Sequence, residues 1–524
     1  MAGCAVIGGG LSGLSTAYLL SRLPRSQVNH VYVYEANPKR FGGCFKTGYN
    51  PKTGALHDLG PHSARISSPL TNPLLRLISS LGFTRDEVFW LPQLRRFIFV
   101  AGALRSIDLL SPTTQAPFTR SHLSMFVRRS LAKGIGPLKE DVSVDEFLRS
   151  RFDDEFAKYI GGALIRGICG VDSKRVSASA LLSPLIRWEN SGPNIILGAA
   201  KSIASEKLRS LLPSSQKGIS DQAVDSLLPP LSDGVTPPPR ASILNLKGGM
   251  QALTDRLIKT LSESPNVTLK RGALVKTLNY QGKQYELTLL DEGSSHLSKV
   301  KNDAVFLCTP ARGMGMILSS NSFLPSSVTN LLTPEVSPAA SVGVVALEFD
   351  IPHLALPCGF GHLLPISEDE TVMGVVYDSC TFPHMDGKVP CDQMRRTVRF
   401  TIMLAPRPAW LKAAPASDPF DLEPELRHTL IEIGLTALKQ QLGLQVSQPI
   451  SAHVGLWNSS IPSYPVGHLD NVQRIRSAVA NTLGPNQMDT LQLVGSALDG
   501  IGVGDCVKSA VKAVNTFSHK LPVR

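Results

Sequence analysis

The sequence predicts an α/β protein with an inserted helical region, and three observations lead to that prediction. The chain opens with an apolar run at Cys4–Ile7, continues through a glycine-rich turn and a helix-period stretch, and reaches a second apolar run at Val31–Tyr34. A strand, turn, helix and strand in this order are typical of a parallel sheet. Residues 93–212 then interrupt the pattern with a segment rich in arginine and lysine. Beyond residue 240 the strand-like runs resume.

The second half of the chain repeats the mixture of strands and helices. Strand-like runs occur at Ala304–Cys308, Val342–Phe349 and Val372–Tyr377. Helical periodicity covers residues 422–442, and another helical pattern closes the chain after Asp505. Residues 213–240 are rich in Ser, Pro and Gly and have no sustained period, so we expect a mobile surface loop there and no folded element.

The composition fits a globular protein of several domains. The chain has 524 residues, of which 43% are hydrophobic and 18% charged, so it is too apolar for a disordered chain. With 53 basic and 42 acidic residues the net charge is +11, which favours acidic partners. Only 6% of the residues are aromatic and no short Lys/Arg-rich cluster exists, so we expect no nucleic-acid partner.

Cysteine spacing and hydropathy restrict the function further. The 8 cysteines include no C-x-x-C pair and no metal-ligand spacing, so we expect reduced thiols and no metal site. No stretch of about 18 apolar residues exists, so we expect no spanning helix. The strand pattern begins within the first few residues, so we expect no cleaved presequence.

A glycine motif, Gly8-x-Gly10-x-x-Gly13, occupies the turn between the first strand and the first helix. Such glycines let the backbone approach a pyrophosphate, which then lies at the positive end of the helix. Glu35 follows Gly13 by 22 residues, at the end of the second strand. A carboxylate there accepts hydrogen bonds from ribose hydroxyls and repels a 2′-phosphate. Taken alone, the glycines also fit an ordinary turn, and Glu35 fits an ordinary surface acid.

Further segments resemble the extended fingerprint of the flavin amine-oxidase-like family. They are Arg40-Phe41-Gly42-Gly43, Asp58-Leu59-Gly60-Pro61, Lys247-Gly248-Gly249-Met250 and Gly495–Gly504. The resemblance implies FAD as the cofactor, with backbone N–H groups and a helix N-terminus of the last segment against the flavin. The residues that it assigns to the cofactor are Gly8, Gly9, Gly10, Leu11, Ser12, Gly13, Glu35, Arg40, Gly42, Gly43, Cys44, Gly60, Pro61, His62, Ser63, Val275, Ser496, Ile501, Gly502 and Val503.

Five more segments resemble the eukaryotic mitochondrial protoporphyrinogen oxidases, with loops of the fungal type. They are Arg96–Gly102, Arg166–Gly170, Gly359–Pro365, Gly374–Ser379 and Gly500–Cys506. The resemblance implies an oxidoreductase of haem biosynthesis that converts protoporphyrinogen IX to protoporphyrin IX, consumes molecular oxygen and releases H₂O₂. No motif for a protein nucleophile or a metal is present, so no residue is assigned a catalytic role.

The substrate of that family is an apolar macrocycle with two propionates, which needs apolar walls and a cation. By resemblance Arg96 is the cation, and the walls comprise Gly167, Phe360, Leu363, Val376 and Met403. The apolar residues also fit plain core, and Arg96 fits a surface arginine. His62 stands where animal and yeast relatives have arginine, so we expect Arg96 to carry more of the carboxylate recognition. His62 and His362 are the nearest candidates for a general base, and both also fit structural histidines.

The resemblance also implies three domains: an FAD-binding Rossmann-like domain, a mixed-sheet substrate domain and a helical membrane-binding domain. The FAD-binding domain is expected to take residues 1–92, 241–310 and 485–524. The helical domain is expected at 93–212, the flexible loop at 213–240 and the substrate domain at 311–484.

A helix-period segment in the basic region indicates contact with an anionic membrane surface. Its apolar face carries Leu123, Phe126, Val127 and Leu131, and its basic residues are Arg120, Arg128, Arg129 and Lys133. A solvated basic helix is the alternative interpretation. The resemblance favours the membrane, since it implies a peripheral protein on the intermembrane-space side of the mitochondrial inner membrane. It further implies a homodimer and ferrochelatase as a partner.

Three other functions fit parts of the pattern. An amine oxidase of the same fold would have an aromatic cage beside the flavin, and a bacterial-type coproporphyrinogen oxidase would differ in the number of arginines that face substrate carboxylates. A non-enzymatic binding protein of the Rab-GDI type would keep the N-terminal glycines without a flavin. The Gly495–Gly504 segment argues against the last of these.

Overall fold

The structure is a computed structural model of the chain. It describes residues 2–66, 72–108, 113–114, 116–121, 124, 140–192, 197–199, 201–202, 204, 219–293, 296–320, 323–352, 358–389, 392–413, 418–446, 448–485, 487 and 489–519.

The strands of the described residues are β1 (Ala2–Ile7), β2 (Val28–Glu35), β3 (Thr47–Tyr49), β4 (Leu56–Asp58), β5 (Ala64–Arg65), β6 (Val88–Pro92), β7 (Arg96–Val100), β8 (Ala103–Ser106), β9 (Ala241–Leu246), β10 (Val267–Arg271), β11 (Ala273–Tyr280), β12 (Tyr285–Asp291), β13 (Leu297–Asn302), β14 (Ala304–Leu307), β15 (Ala339–Phe349), β16 (Gly361–Leu363), β17 (Val372–Val376), β18 (Lys388–Val389), β19 (Asp392–Arg396), β20 (Val398–Leu404), β21 (Ser451–Pro462) and β22 (Leu491–Leu493). The α-helices are Leu11–Ser21, Pro73–Ser80, Val144–Arg151, Gly162–Cys169, Ala178–Leu181, Ser183–Ser191, Ile219–Leu227, Gln251–Ser262, Ala311–Leu318, Ser326–Thr329, Asp378–Thr381, Pro408–Ala413, Pro424–Leu442, His468–Leu483 and Val503–Ser518.

The first sheet is parallel and five-stranded, with the order β10-β2-β1-β14-β22. One face packs against the helices Leu11–Ser21 and Val503–Ser518, and the other packs against the antiparallel sheet β11-β12-β13. Strands that are buried on both faces have continuous apolar runs, and β1, β2 and β14 have them. The predicted strand, turn, helix and strand at the start of the chain are therefore confirmed.

The second large sheet is mixed and seven-stranded, with the order β21-β15-β20-β17-β16-β7-β8. It is mixed because β16 pairs with β7 in parallel and with β17 in antiparallel orientation. One face, with Val345 and Ile402, packs against the helix Pro424–Leu442. The opposite face, with Val344 and Met403, packs against Leu59 from the segment that follows β4. The predicted α/β fold with a second, mixed sheet is thus confirmed.

The helices between Val144 and Ser191 enclose a core of their own, which includes Phe147 and Ile165. Arg166 fastens this insertion to the seven-stranded sheet. Its guanidinium donates hydrogen bonds to backbone carbonyls on both sides of the β16–β17 hairpin, at Leu364, Asp369, Glu370 and Val372. A buried guanidinium is tolerated where its donors meet several acceptors, so the insertion is held in one position against the sheet.

Four elements pack against another sheet than the expected division of the chain suggests. Strands β7 and β8, expected in the helical domain, form the edge of the seven-stranded sheet because β7 pairs with β16. The helices Ala311–Leu318 and His468–Leu483, expected in the substrate domain, share a hydrophobic core with the parallel sheet. The reason is the same in both cases: which sheet an element covers is decided by contacts between residues far apart in sequence.

The expectation of a loop without folded elements over residues 213–240 was wrong for part of that stretch. A helix spans Ile219–Leu227, and Ala223, Val224 and Leu228 are buried in the core beside the parallel sheet. The apolar stripe is only about two turns long, which is too short to stand out from a Ser/Pro-rich background. Its burial against the C-terminal helix provides the stability that local sequence lacks.

The basic amphipathic segment is only sparsely represented in the structure. Leu123, Phe126, Val127, Leu131, Arg128, Arg129 and Lys133 lie outside the described residues, whereas Arg120 is described and exposed. Within the described part of the chain, no helix combines the length and the hydropathy that a bilayer crossing requires.

A buried ion pair connects the seven-stranded sheet to the segment that follows β17. Arg399 Nε lies 2.8 Å from Asp386 Oδ1, and both side chains are 1% exposed. The remaining nitrogens of Arg399 donate to the carbonyls of Leu56 and Phe382 at 2.6 and 2.8 Å. Because Leu56 belongs to β4, this one side chain joins the two parts of the molecule beside the candidate site.

Replacing Asp386 by alanine is expected to lower the free energy of unfolding by about 3–5 kcal/mol, because Arg399 would stay buried without its counter-charge. Urea unfolding followed by circular dichroism measures the change. Lys299→Ala is the matched control, since it removes an exposed ion pair with Glu286 and should cost less than about 1 kcal/mol. Equal losses in the two variants would contradict the assigned role of the buried pair.

Candidate cofactor and substrate site

The glycine turn at the start of the first helix forms an anion site. Gly10 is the N-cap of the helix Leu11–Ser21, which has no capping side chain and no acid in its first turn. Gly8 has a φ of 107°, and a Cβ at Gly13 would lie 1.8 Å from the Gly8 carbonyl oxygen, so neither position accepts a side chain. The N–H groups of the first turn lack acceptors within the helix and are therefore open to a phosphate.

Glu35 lies beside this turn at the end of β2. Its Oε2 accepts a hydrogen bond from the Gly9 N–H at 2.7 Å, and its Oε1 accepts one from the Asn37 N–H at 2.7 Å. These two bonds fix the carboxylate in place. A carboxylate has about four lone-pair positions, so Glu35 keeps acceptors for the hydroxyls of a ribose.

The second glycine pair, Gly42 and Gly43, packs against the glycine turn at the start of the first helix. A Cβ at Gly43 would lie 3.1 Å from Gly10 Cα, so the two backbones meet with only hydrogens between them. Arg40 braces this loop by donating to the carbonyls of Phe45 and Gly43 at 3.0 and 2.5 Å. Burial lowers the pKa of Arg40, with Cys44, Asp418 and Glu35 acting in the opposite direction.

The segment Gly60–Ser63 runs along the boundary between the two large sheets. A Cβ at Gly60 would lie 1.8 Å from the carbonyl oxygen of Cys44, so this position also requires glycine. The preceding carbonyl, of Leu59, accepts a hydrogen bond from Trp457 Nε1 at 2.6 Å. Gly60, Pro61, His62 and Ser63 are all half-buried, so the segment is partly accessible to a ligand.

Asp58 anchors this segment from within the protein. Its carboxylate accepts hydrogen bonds from Thr47 Oγ1 at 2.7 Å, the Met250 N–H at 2.9 Å and Asn245 Nδ2 at 3.1 Å. Burial raises the pKa of Asp58, and a nearby His62 together with these hydrogen bonds lowers it. Asn245 also donates to the His62 carbonyl at 2.7 Å, so Asp58 and His62 share one supporting side chain.

His62 reaches from this segment to the seven-stranded sheet. Its Nδ1 lies 3.1 Å from the Gly60 carbonyl, and its Nε2 lies 3.9 Å from Asp378 Oδ1. Asp378 follows β17 and is held by a hydrogen bond of 2.6 Å from Thr401 Oγ1. The His62 side chain therefore lies between the Gly60–Ser63 segment and β17, and its assignment to the cofactor and substrate stays a prediction.

The C-terminal segment meets the N-terminal glycine turn directly. Gly495 has a φ of 113°, and a Cβ there would lie 2.9 Å from Ser12 Oγ. Tyr464 supports the segment from behind: its hydroxyl donates to the Ser496 carbonyl at 2.5 Å and accepts from the Gly500 N–H at 2.8 Å. The two ends of the chain thus come together at one edge of the parallel sheet.

The helix Val503–Ser518 begins in the same segment. Gly502 is its N-cap, and the Gly502 N–H donates to Asp505 Oδ2 at 3.1 Å. Ile501 packs against the hydrophobic core of the helical insertion. Ile501, Gly502 and Val503 therefore lie where the cofactor-side sheet, the insertion and a helix N-terminus meet.

Strand alternation separates the predicted substrate residues from His362. Leu363 pairs with Gly374, and Gly374 pairs with Met403, so Leu363 and Met403 share a face of the sheet. A Cβ at Gly374 would lie 2.8 Å from Leu363 Cδ2 and 3.3 Å from Met403 Cε, which shows how closely these side chains meet. Val376 points to the same face, two residues along β17.

His362 points to the opposite face, where both ring nitrogens are hydrogen-bonded. Its Nδ1 lies 2.8 Å from the Tyr377 hydroxyl, and its Nε2 lies 2.8 Å from Gln441 Oε1. Burial lowers its pKa to about 4, so the ring is neutral at pH 7. His362 is therefore a structural histidine, and the structure leaves it no route to a substrate.

Two further predicted residues complete the substrate-side wall. Gly167 packs on Leu363 so tightly that a Cβ at Gly167 would lie 2.4 Å from Leu363 Cδ2. Arg96 lies at the start of β7 with its guanidinium carbon 5.9 Å from the centre of the Phe360 ring. Gly167, Phe360, Leu363, Val376 and Met403 are thus neighbours on adjoining elements, with a cation at their edge.

Val275 is the predicted cofactor residue that lies apart from these segments. It is on β11, is 5% exposed and packs in the hydrophobic core that covers the parallel sheet next to Tyr34. Its side chain is core, and its assignment to the cofactor stays a prediction.

Sequence reasoning missed the side chains that hold the site together. Asp58 belongs to a segment that the family resemblance marks, but its role as a buried acceptor had no local signal. Asn245, Trp457 and Tyr464 have no motif at all, because each acts on a segment more than 30 residues away. Such roles become visible only when distant segments are brought into contact.

The donor and acceptor set fits a flavin dinucleotide. An uncapped helix N-terminus suits the pyrophosphate, Glu35 suits ribose hydroxyls, and the glycine contacts leave the backbone exposed to a flat ligand. The helix that begins at Val503 presents a second N-terminus at the same edge; its Gly502 N–H already donates to Asp505, and the rest of its first turn faces the electron-rich end that a flavin would place there. The residues present therefore match FAD.

Comparison with known proteins agrees with this geometry. The family of flavin containing amine oxidoreductases matches residues 11–516. A protoporphyrinogen oxidase of Homo sapiens is 30% identical, with 97% of this chain and 96% of the relative covered. A protoporphyrinogen oxidase of Schizosaccharomyces pombe is 26% identical, with 96% of each chain covered.

Solved structures show the same fold. A protein of Exiguobacterium sp. 255-15 matches with a TM-score of 0.69 at 18% identity, covering 98% of both chains. Cyclohexylamine oxidase of Brevibacterium oxydans IH-35A matches with a TM-score of 0.61 at 16% identity, covering 99% of both. The chain belongs to the family of flavin containing amine oxidoreductases, and its cofactor is FAD. Within that family, the proteins it resembles over nearly their whole length include protoporphyrinogen oxidases of eukaryotes.

Gly13→Ala is expected to abolish FAD binding, because the added Cβ would collide with the Gly8 carbonyl and displace the turn. The ratio of flavin absorbance near 450 nm to protein absorbance, roughly one FAD per chain in the parent, measures the loss. Gly3→Ala on the adjoining strand is the control, since its Cβ would meet only ordinary contacts at 3.7 and 3.8 Å. A yellow Gly13→Ala protein would show that the turn is not the pyrophosphate site.

Proposed function

We propose that the protein oxidises protoporphyrinogen IX to protoporphyrin IX in haem biosynthesis, with O₂ as the electron acceptor and H₂O₂ as the product. The observation that supports this most is the apolar wall of Leu363, Val376 and Met403, with Met403 packed near Leu59, which precedes Gly60, and with Arg96 at the edge of the wall. An apolar wall with one edge cation matches a macrocycle that carries its carboxylates on one side. The full-length relatives named protoporphyrinogen oxidase support the same substrate.

When bound, FAD supplies the two-electron acceptor that O₂ regenerates, so the six-electron oxidation takes three cycles. The protein positions the macrocycle against the cofactor-side segment and excludes water with the apolar wall. The N–H groups at the start of the helix Val503–Ser518 stabilise negative charge at that edge. The chain supplies no nucleophile for this reaction, because the substrate's own pyrrole nitrogens activate the carbon that is oxidised.

Carboxylate recognition depends on the cations at the edge of the wall. Burial lowers the pKa of Arg96, and the like charge of Arg65 lowers it further. Two cations on one side of the wall favour a ligand with two carboxylates. His62 Nε2 faces Asp378 at 3.9 Å, so its ring is directed towards a carboxylate of the protein, and Arg96 carries the larger share of the recognition.

The setting in the cell extends the same proposal. The protein works as a peripheral protein on the intermembrane-space side of the mitochondrial inner membrane, bound through the basic amphipathic segment around Phe126. An apolar substrate then enters from the lipid without crossing water. A homodimer and a contact with ferrochelatase, which would take up the product, complete the proposal.

A direct assay tests the reaction. FAD-loaded protein is mixed with protoporphyrinogen IX in air, and porphyrin fluorescence and H₂O₂ are followed together. We expect about three H₂O₂ per porphyrin formed, as six electrons removed in two-electron steps require. Coproporphyrinogen III and benzylamine, tested in parallel, are expected to react at least about tenfold more slowly, since discrimination by polar contacts readily reaches that size. Faster oxidation of either would identify the corresponding alternative, and a colourless, inert protein would favour the binding-protein alternative.

Arg96→Ala is expected to raise the KM for protoporphyrinogen IX about 10- to 100-fold with a small change in kcat, because it removes a charge-assisted hydrogen bond of about 1.5–3 kcal/mol. Steady-state kinetics by porphyrin fluorescence provide the measurement. Arg95→Ala is the matched control, because it removes a neighbouring exposed guanidinium that lies outside β7. An unchanged KM in Arg96→Ala would overturn the role of Arg96.

A further inference from the structure

Two cysteines, Cys358 and Cys380, lie close together at the edge of the substrate-side wall. The Gly359 N–H donates to Cys380 Sγ at 3.2 Å, and Gly359 directly follows Cys358 in the chain. Because one peptide nitrogen lies about 2.4 Å from the preceding Cα, Cys380 Sγ lies within about 6 Å of Cys358 Cα. The two thiols also interact with each other, which agrees with this distance. The pair is therefore close enough for a disulfide after a small adjustment of the Cys358 side chain and its backbone.

The backbone next to each of the two cysteines is held by hydrogen bonds. The Phe360 N–H donates to the Arg95 carbonyl at 2.8 Å, and the Tyr377 N–H donates to the Phe360 carbonyl at 3.0 Å. The Cys380 N–H donates to the Tyr377 carbonyl at 3.0 Å. The two thiols are therefore neighbours through the fold itself and not through the free movement of a loop.

Exposure distinguishes this pair from the buried thiols Cys4 and Cys169, and adjacency distinguishes it from the exposed Cys44. Burial also raises the pKa of Cys380, which is why Cys358 is the thiol assigned to meet the oxidant first. Cys358 is exposed and Cys380 is partly exposed. Cys4 and Cys169 are buried, and burial raises the pKa of each thiol to about 12, which suppresses the reactive thiolate. Only a thiol that solvent reaches can meet a dissolved oxidant.

We propose that Cys358 and Cys380 form a disulfide in response to peroxide. The oxidant is H₂O₂, and its supply by turnover at the adjoining site rests on the proposed function. The Cys358 thiolate attacks the peroxide: an S–O bond forms, the O–O bond breaks, and water leaves with the proton taken up from solution. The Cys380 sulfur then attacks the sulfenic sulfur: the S–S bond forms, the S–O bond breaks, and a second water leaves. Both thiols are oxidised, and one peroxide is reduced to two waters.

The bridge would form beside residues of the candidate site. Cys358 precedes Phe360, whose ring lies under Arg96, and Cys380 belongs to the short helix that begins at Asp378, the residue opposite His62. A bond between the two cysteines would join the segment that leads into β16 to that helix. The disulfide would therefore form close to both Arg96 and Asp378, the residue that faces His62.

Mass spectrometry of the FAD-loaded enzyme tests the proposal. The protein is reduced, desalted and treated with H₂O₂ without substrate, then digested without reduction. We expect an intact mass lower by about 2 Da and a peptide bridged between Cys358 and Cys380, with Cys169 unmodified. Sulfinic acid at Cys358 without a bridge, or a bridge from either residue to Cys391, would overturn the proposal.

Single variants and a turnover experiment complete the design. Cys358→Ser and Cys380→Ser should each lose the bridged peptide, whereas Cys391→Ser should retain it. Retention of the mass shift in Cys358→Ser would count against the pair. In a second arm, substrate and O₂ replace added peroxide, with and without catalase. A bridge formed by added H₂O₂ but not during turnover supports the disulfide and counts against the proposed peroxide source, so the two ideas fail separately.

Discussion

Close approach of backbone to backbone at the carboxyl edge of the parallel sheet is the constraint on which the rest of the site depends. Gly13 lies against Gly8, Gly43 against Gly10, and Gly60 against Cys44, and each contact would be lost with a single added carbon atom. These contacts leave N–H groups and peptide faces exposed where side chains would normally cover them. A flat, anionic cofactor therefore meets backbone, and the side chains nearby are free to hold the segments in place.

Buried polar groups hold those segments in register with the seven-stranded sheet. Asp58 accepts from three elements, Trp457 reaches back to the Leu59 carbonyl, and Arg399 joins β20 to β4. Each bond has direction as well as strength, so the group opposite must lie at one place. A hydrophobic contact alone would allow these segments to slide along the seven-stranded sheet. This explains why polar side chains are buried at the boundary between the two sheets, whereas the interior of each sheet is apolar.

The period of the strands then divides the candidate residues by function. Leu363 and His362 are adjacent in sequence, yet one faces the space beside the Gly60–Ser63 segment and the other is bonded to Gln441 behind the sheet. A histidine near a predicted site is therefore weak support for catalysis until its face of the strand is known.

The sequence by itself determined the parts of this protein that follow local rules. Continuous apolar runs predicted β1, β2 and β14, the glycine spacing and Glu35 predicted the dinucleotide turn, and family-like segments named most residues that the fold brings together. These features can be recognised in the sequence because each depends on residues within about 30 positions of one another.

The tertiary structure decided what depends on distant contacts. It placed β7 on the edge of the seven-stranded sheet, buried the helix Ile219–Leu227 and directed His362 away from the site. It also brought Tyr464 under the C-terminal segment and Cys358 beside Cys380. The free energy of such contacts comes from burial and from hydrogen bonds between segments far apart in the chain, and no local pattern records which segments will meet.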